Sequence, residues 1–240
     1  MAAEKHRYVS ESAILGTFLL AGFLGLGYLL SSGITGIKMM ERTVEVKGLS
    51  EREVAADIAI WPISFSVADN DLANLYLTIQ QKNATVVEFL KAQGFNDSEI
   101  TVSSPSVVDK LAREYDSSYG SKYRYSGSST VTVYSTQVDL ARQSMIKVVE
   151  LGREGIAIAG DSYSTQFIYS KLNDIKPEMI EEATRNARQT ADKFAKDSDS
   201  TLGKIRRANQ GTFSIENRDS STAHIKKVRV VSTVEYYLSD

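Results

Sequence analysis

The hydrophobic pattern of the chain begins with one long uncharged run over residues 12–37. Within this run, Ala13 to Leu30 is almost wholly apolar, and a helix of that length approaches the thickness of a hydrocarbon core, about 30 Å. A cleaved secretory signal is the alternative, but no clear A-x-A cleavage pattern follows Leu30. The pattern therefore predicts an uncleaved transmembrane signal-anchor over residues 12–37, after an N-terminal flank at residues 1–11.

Four small residues of this run recur at every fourth position and line one face of the predicted helix: Ala13, Thr17, Ala21 and Gly25. Small residues at that spacing let two transmembrane helices approach closely. The general frequency of glycine and alanine in membrane helices is the alternative explanation. We predict helix packing in the membrane at these four residues. Basic residues flank the run on both sides, so the positive-inside rule does not fix its orientation.

After the anchor, alternating and helical patterns predict two strands and a helix. Thr43–Gly48 alternates apolar and polar positions and predicts a short strand that ends in a turn at that glycine. Residues 54–67 predict a longer strand, in which Pro62 marks a bulge or an edge position because it cannot donate to a ladder. The Asp-Asn-Asp sequence at 69–71 can cap a helix whose apolar spacing continues to a stop at Gly94.

The rest of the chain predicts further strands and two helices. A short helix starts at Asp139 and a long one at Pro177, which suits a first helical turn. The long helix carries regularly spaced alanines that let it lie close on a sheet. The final strand, residues 225–238, has one apolar and one polar face, as antiparallel sheets allow. The remaining predicted strands are residues 99–108, 130–134, 155–169 and 204–215.

The order of these elements predicts the fold class. Direct strand-to-strand connections outnumber crossovers through helices. We therefore predict an α+β fold of antiparallel sheets with helices packed on them, preceded by the one N-terminal transmembrane helix. A helix–strand–strand grouping occurs more than once, which is consistent with two α+β subdomains within residues 41–240.

Composition narrows the chemistry that the chain can perform. The formal charge of -2 argues against a nucleic-acid partner, and the absence of cysteine excludes thiol catalysis and disulfides. His224 is the only histidine besides His6 of the N-terminal flank, and no G-x-S-x-G motif lies near it. We therefore expect no catalytic residue, no cofactor and no metal site. A hydrolase that uses the carboxylates of Asp57 and Glu45 is an alternative that the sequence does not support.

A polar arm over residues 112–129, the tyrosine arm, is rich in Ser, Gly and Tyr, with basic residues among the tyrosines. Such an arm could stack nucleic-acid bases or contact another chain, and an ordinary solvated hairpin is the alternative. The near-neutral charge disfavours nucleic acid. The final strand also favours association, because unpaired strand edges invite pairing with another chain. We predict a subunit contact through the tyrosines of the arm, Tyr115, Tyr119, Tyr123 and Tyr125.

Four segments of the chain match core and turn motifs of a known family. They are Val46-Lys47-Gly48, Pro177-Glu178-Met179-Ile180-Glu181-Glu182-Ala183, Ala191-Asp192-Lys193-Phe194-Ala195 and Leu202-Gly203-Lys204-Ile205. In these segments the chain resembles the SIMPL-domain family of bacterial envelope proteins, over roughly residues 41–240. One departure is at residues 54–57, Val-Ala-Ala-Asp, where the family often carries Pro-Asp.

The resemblance implies a protein of the bacterial envelope, secreted or held in the inner membrane by a single pass with its domain in the periplasm. Similar proteins form large ring-like homo-oligomers, have no established catalytic activity and are associated with envelope and oxidative stress. We therefore expect a membrane-anchored, ring-forming scaffold without catalytic activity, whose partners are its own copies and the lipid bilayer. A periplasmic module that binds a small ligand or a peptide between its subdomains is the alternative.

Overall fold

The computed structural model of the protein describes residues 16–31, 42–112, 122–158 and 165–239. Within these residues the chain forms two compact units, each assembled from segments that are distant in sequence. Unit 1 is built from the described parts of Met1–Ser50, Glu178–Phe213 and Val230–Asp240, and unit 2 from those of Glu51–Pro177 and Ser214–Arg229.

Helices and antiparallel strand pairs make up both units, which confirms the predicted α+β class. The strands are β1 Thr43–Ala55, β2 Ile58–Asp69, β3 Ile100–Val102, β4 Ser106–Asp109, β5 Tyr125–Ser135, β6 Gln166–Ile168, β7 Thr201–Gln210, β8 Ser214–Asn217 and β9 Ile225–Ser239. The helices are α1 at residues 16–31, α2 Leu72–Gln93, α3 Val138–Lys147, α4 Val149–Arg153 and α5 Leu172–Asp197. Short 3-10 turns lie at Asp97–Glu99 and Lys110–Ala112.

Helix α1 lies in the stretch that the sequence predicts as a membrane anchor, and all of its residues are exposed. No helix among the described residues is both long and apolar enough to cross a membrane, so the transmembrane helix predicted over residues 12–37 is not found there. At about 1.5 Å per residue, α1 spans about 24 Å of a hydrocarbon core of about 30 Å. Ala13 lies outside the described residues, whereas Thr17, Ala21 and Gly25 lie on α1. Their role in helix packing stays a prediction.

Unit 2 contains a five-stranded sheet, the β2 sheet, in the order β3–β5–β2–β6 with β4 also paired to β5. The register of β2 with β5 is unbroken from Ala59 to Asp69, so the bulge predicted at Pro62 is wrong. Pro62 instead lies beyond the part of β2 that pairs with β6, which ends at Ile60. On this side Pro62 has no paired strand among the described residues, as in the edge position that the sequence offered as the alternative to a bulge.

One face of the β2 sheet is buried beneath α2, α3 and α4. Alternate side chains of β2 point to this face because successive residues of a strand alternate between its two sides. They form one hydrophobic core with apolar side chains of the neighbouring strand β5 and of the helices. The members from β2 are Ala59, Trp61, Ile63 and Phe65, and those from β5 and the helices include Val131, Val133, Val86, Leu90, Ala141 and Leu151. The β2 sheet therefore has one dry face and one face that carries polar groups, such as the hydrogen-bonded pair Ser64 and Thr130.

In the second sheet, the β9 sheet, β9 lies between β1 and β7, and α5 covers one face of the part of this sheet that belongs to unit 1. The final strand is therefore an inner strand, and the open edges predicted for it are wrong. Its apolar face is buried as predicted, and the helix contributes a stripe of small side chains at every fourth position, Ala183, Ala187, Ala191 and Ala195. These alanines let α5 lie close on the sheet, which confirms the prediction for the long helix.

Two boundary signals have a different meaning in the structure. The strand β1 continues past Gly48, which lies against α5, because a Cβ at this position would collide with the carbonyl oxygen of Ala183 and the backbone nitrogen of Ala187. The turn predicted at Gly48 is therefore wrong, and the glycine instead permits a close approach. Pro177 is not in the first turn of its helix, since α5 begins at Leu172.

Candidate functional site

The tyrosine arm is described only at its ends, and Tyr115 and Tyr119 lie outside the described residues. Tyr123 is 38% exposed, and the Lys122 ammonium lies 5.4 Å from the centroid of its ring. Tyr125 begins β5, and the guanidinium carbon of Arg124 lies 4.9 Å from the centroid of its ring. The subunit contact predicted for these tyrosines stays a prediction.

The base of the tyrosine arm is held by a network of polar contacts. Arg124 donates to both carboxylate oxygens of Asp109, with Nη2 at 2.8 Å from Oδ2. Its hydrogen bonds lower the pKa of Asp109. The Asn70 side chain accepts from the backbone N–H of Arg124 at 2.9 Å and donates to the carbonyl of Lys122. These contacts tie the ends of β4 and β5 to the end of β2.

The two carboxylates of the hydrolase alternative have separate structural settings. Asp57 lies in unit 2, where one carboxylate oxygen accepts from the backbone N–H of Ser170 at 2.8 Å and the other from its hydroxyl at 2.7 Å. Burial raises the pKa of Asp57, but the bonds from Ser170 outweigh it, so the net shift is downward. Glu45 lies exposed on β1 in unit 1. Asp57 is therefore a structural carboxylate that binds Ser170 and is ionised at neutral pH.

A cavity of about 550 Å³ inside unit 2 is the candidate functional site. One wall is aromatic, with Trp61 from β2, Phe167 from β6 and His224 just before β9. The apolar side chains of Met145 and Ile146 of α3 also line the cavity. A site of this volume, lined by both apolar and polar residues, has the size that small-molecule sites usually have.

His224 is held inside this cavity by its backbone and by its ring. Its carbonyl accepts from the backbone N–H of Ala56 at 2.8 Å, and its imidazole meets the Phe167 ring edge to face, with centroids 6.1 Å apart. Burial and the positive charge of Arg142 lower the pKa of His224, and the nearby Asp139 opposes the shift only in part. The imidazole is therefore neutral at pH 7.

A short loop between β8 and β9 forms the polar rim of the cavity with Ser220 and Ser221. Asp219 organises this loop, since its carboxylate accepts from the backbone N–H groups of Ser221 at 2.8 Å and Thr222 at 2.7 Å. It also accepts from the Thr222 hydroxyl and from the guanidinium of Arg218. These bonds lower the pKa of Asp219, so the loop is held by an ionised carboxylate.

Sequence analysis singled out His224 but missed the other residues of the cavity. Trp61, Arg142 and Phe167 come from β2, α3 and β6, and no spacing along the chain connects them. Of these three residues, only Trp61 is conspicuous in the sequence, because it is the sole tryptophan of the protein. Among the described residues, no group of three or more histidine, aspartate or glutamate side chains is placed to hold a metal ion.

A family model matches residues 44–235, well over half of the chain, and is described as SIMPL, protein of unknown function (DUF541). The matched region contains all of unit 2, with every residue of the cavity, and part of unit 1. No curated protein sequence matches the chain.

Proposed function

The chain belongs to the SIMPL family, and from this premise we propose that it is a homo-oligomeric scaffold of the bacterial envelope that acts by assembly and not by catalysis. One observation carries the proposal, the arrangement of strands in the β9 sheet. Strands β1 and β7 are the outer strands of this sheet among the described residues. Outer strands present backbone N–H and C=O groups that pair readily with another chain.

The charges of the two outer strands support a contact in which β7 of one copy meets β1 of the next. Strand β7 carries Lys204, Arg206 and Arg207 and no acidic residue, whereas β1 carries three glutamates and two basic residues. Two of these glutamates, Glu51 and Glu53, also form exposed ion pairs within their own chain, which contribute little stability. A contact between two different patches is heterologous, and its repetition closes a ring when the rotation per copy fits. Complementary charge on the two strands would orient the copies in this way.

The scaffold function predicts a complex of many copies. Light scattering on the detergent-solubilised full-length protein should give a protein mass that is a high multiple of the 26.5 kDa chain. A mass of one chain across the concentration range would overturn the proposal, because a scaffold of this kind has no function as a single copy.

We propose that residues 12–37 anchor each copy in the inner membrane, with the domain in the periplasm. The large apolar side chains of α1 are exposed, among them Phe18, Phe23 and Leu24. An exposed apolar surface of this extent is typical of a membrane or protein contact, and the uncharged run continues beyond α1 in the sequence. The helices of neighbouring copies would then pack against one another through Thr17, Ala21 and Gly25.

Charges on α1 should release the protein from the membrane. The wild-type chain is expected to stay in the membrane fraction after a carbonate wash, whereas Leu20→Lys with Leu24→Lys should move it to the supernatant. Each lysine near the centre of a spanning helix costs about 3 kcal/mol. Leu20→Ile with Leu24→Ile is the control and should stay bound. N-terminal sequencing of the mature protein that begins near Gly33 would contradict the anchor.

The tyrosine arm is proposed as a further contact between copies, because tyrosines offer contact area at interfaces. Replacement of Tyr119, Tyr123 and Tyr125 by serine should lower the mass of the complex and leave the circular dichroism of the fold unchanged. Tyr76→Ser with Tyr134→Ser is the control, since both residues are exposed elsewhere in unit 2. If the triple variant keeps the parent's mass, the arm is not a subunit contact.

Binding of a small ligand is the second candidate function, and the cavity in unit 2 favours it. Its lining combines aromatic side chains with polar groups, as such sites often do. This function does not exclude the first, because the outer strands and the cavity use different residues.

A further inference from the structure

The aromatic side of the cavity is suited to a flat apolar group. Trp61 is only 6% exposed, and Phe167 and His224 form an edge-to-face pair beside it in the same wall. Aromatic rings prefer such edge-to-face or offset contacts with other rings. Ile146, which also lines the cavity, is 80% exposed. A bound ring would cover the exposed apolar surface of this residue.

Arg142 is the one Lys or Arg side chain among the described residues that line the cavity. The guanidinium of Arg142 contacts the carboxylate of Asp139 through Nη1 at 3.3 Å, and the Asp139 side chain is 84% exposed. An exposed pair of this kind contributes little stability. A guanidinium has five N–H donors and binds carboxylates in a bidentate manner, so an incoming carboxylate can replace Asp139 at small cost.

We propose that this cavity binds a small aromatic carboxylate, with its ring against Phe167, Ile146 and the exposed edge of Trp61 and its carboxylate on Arg142. The hydroxyls of Ser220 and Ser221 lie on the same rim and can donate to the ligand. The volume of the cavity suits a molecule of one or two rings and not a folded partner. The inference concerns residues that the scaffold proposal does not use, so either can fail without the other.

Binding of an anion should be coupled to the protonation of His224. The charged groups that face its imidazole are Arg142 and Asp139 from α3 and Arg218 and Asp219 from the loop after β8. A ligand carboxylate on Arg142 adds negative charge near the imidazole and raises the pKa of His224 above its value in the free protein. By linkage, the ligand binds more tightly as the pH falls below the usual imidazole range, since the pKa of His224 in the free protein lies below 6.5.

Trp61 provides the measurement, because it is the only tryptophan of the chain. We expect saturable quenching of its fluorescence by 4-nitrobenzoate in the full-length protein, and much weaker affinity for the neutral isostere 4-nitrobenzamide. Arg142→Gln should weaken binding of the carboxylate about tenfold, as expected when a charged hydrogen-bond partner is lost, and leave the amide unaffected. Arg153→Gln on α4, which does not line the cavity, is the matched control.

Three results would overturn the assignment. The first is linear quenching that is equal for the carboxylate and the amide, which is the behaviour of unspecific collisions or of partition into detergent. The second is unchanged carboxylate affinity in an Arg142→Gln variant that keeps the parent's circular dichroism. The third concerns pH, since His224→Gln should abolish the tighter binding at low pH. If that variant keeps the full pH dependence, the carboxylate does not bind beside the imidazole.

Discussion

Gly48→Ala is expected to lower the free energy of unfolding by about 3 kcal/mol, at the upper end of the range for overpacking of a core. The added methyl group would meet the carbonyl oxygen of Ala183 and the backbone nitrogen of Ala187, and would lie 2.9 Å from the Cβ of Ala187. Backbone atoms cannot rotate out of the way as a long side chain can. The helix α5 must therefore shift away from β1, and the packing of its alanine stripe is weakened. Urea unfolding followed by circular dichroism measures the change.

Gly152→Ala is the control for this prediction. Gly152 lies in α4, and a Cβ there would have no atom within 4 Å. Alanine is favoured over glycine in a helix by about 1 kcal/mol, so this variant should be as stable as the parent or slightly more stable. If Gly48→Ala unfolds at the parent's urea concentration, the close approach of α5 to β1 is wrong.

The sequence predicted α2 closely because both of its ends are set by contacts between near neighbours. The Asp71 side chain accepts from the backbone N–H of Asn74 at 2.9 Å. At the other end, Gly94 has a φ of 106°, a left-handed conformation that glycine adopts without strain. Signals of this kind are contained in four or five consecutive residues, so they can be recognised without knowledge of the rest of the fold.

Signals that depend on distant residues were misinterpreted. A glycine after alternating residues indicates either a turn or the close approach of another element, and only the position of α5 shows that Gly48 belongs to the second case. The prediction for β9 failed for the same reason. Its alternation of apolar and polar residues predicted the buried face but could not show that strands lie on both sides of it. The cavity has no signature for the same reason, since Trp61 and His224 are far apart along the chain.

Reversal of charge on β7 is expected to reduce the complex to single chains of 26.5 kDa. In Lys204→Glu with Arg207→Glu, β7 would present acidic groups to the three glutamates of β1 in the next copy, and like charges across a contact oppose association. Both side chains are exposed, and Arg206 keeps its ion pair with Glu235 at 2.7 Å. The fold of the subunit should therefore be preserved, and light scattering in detergent measures the loss of mass.

The matched control for this variant makes the same change of charge on α5. Lys193 and Lys196 are exposed there, so Lys193→Glu with Lys196→Glu alters the net charge equally and should keep the parent's mass. Salt provides a second measurement, because the Debye length falls from about 10 Å at 0.1 M to about 3 Å at 1 M. A contact held by complementary charge should weaken over that range in the parent protein. If the β7 variant keeps the parent's mass at low salt, the copies do not meet through their outer strands, and the scaffold would need a different contact.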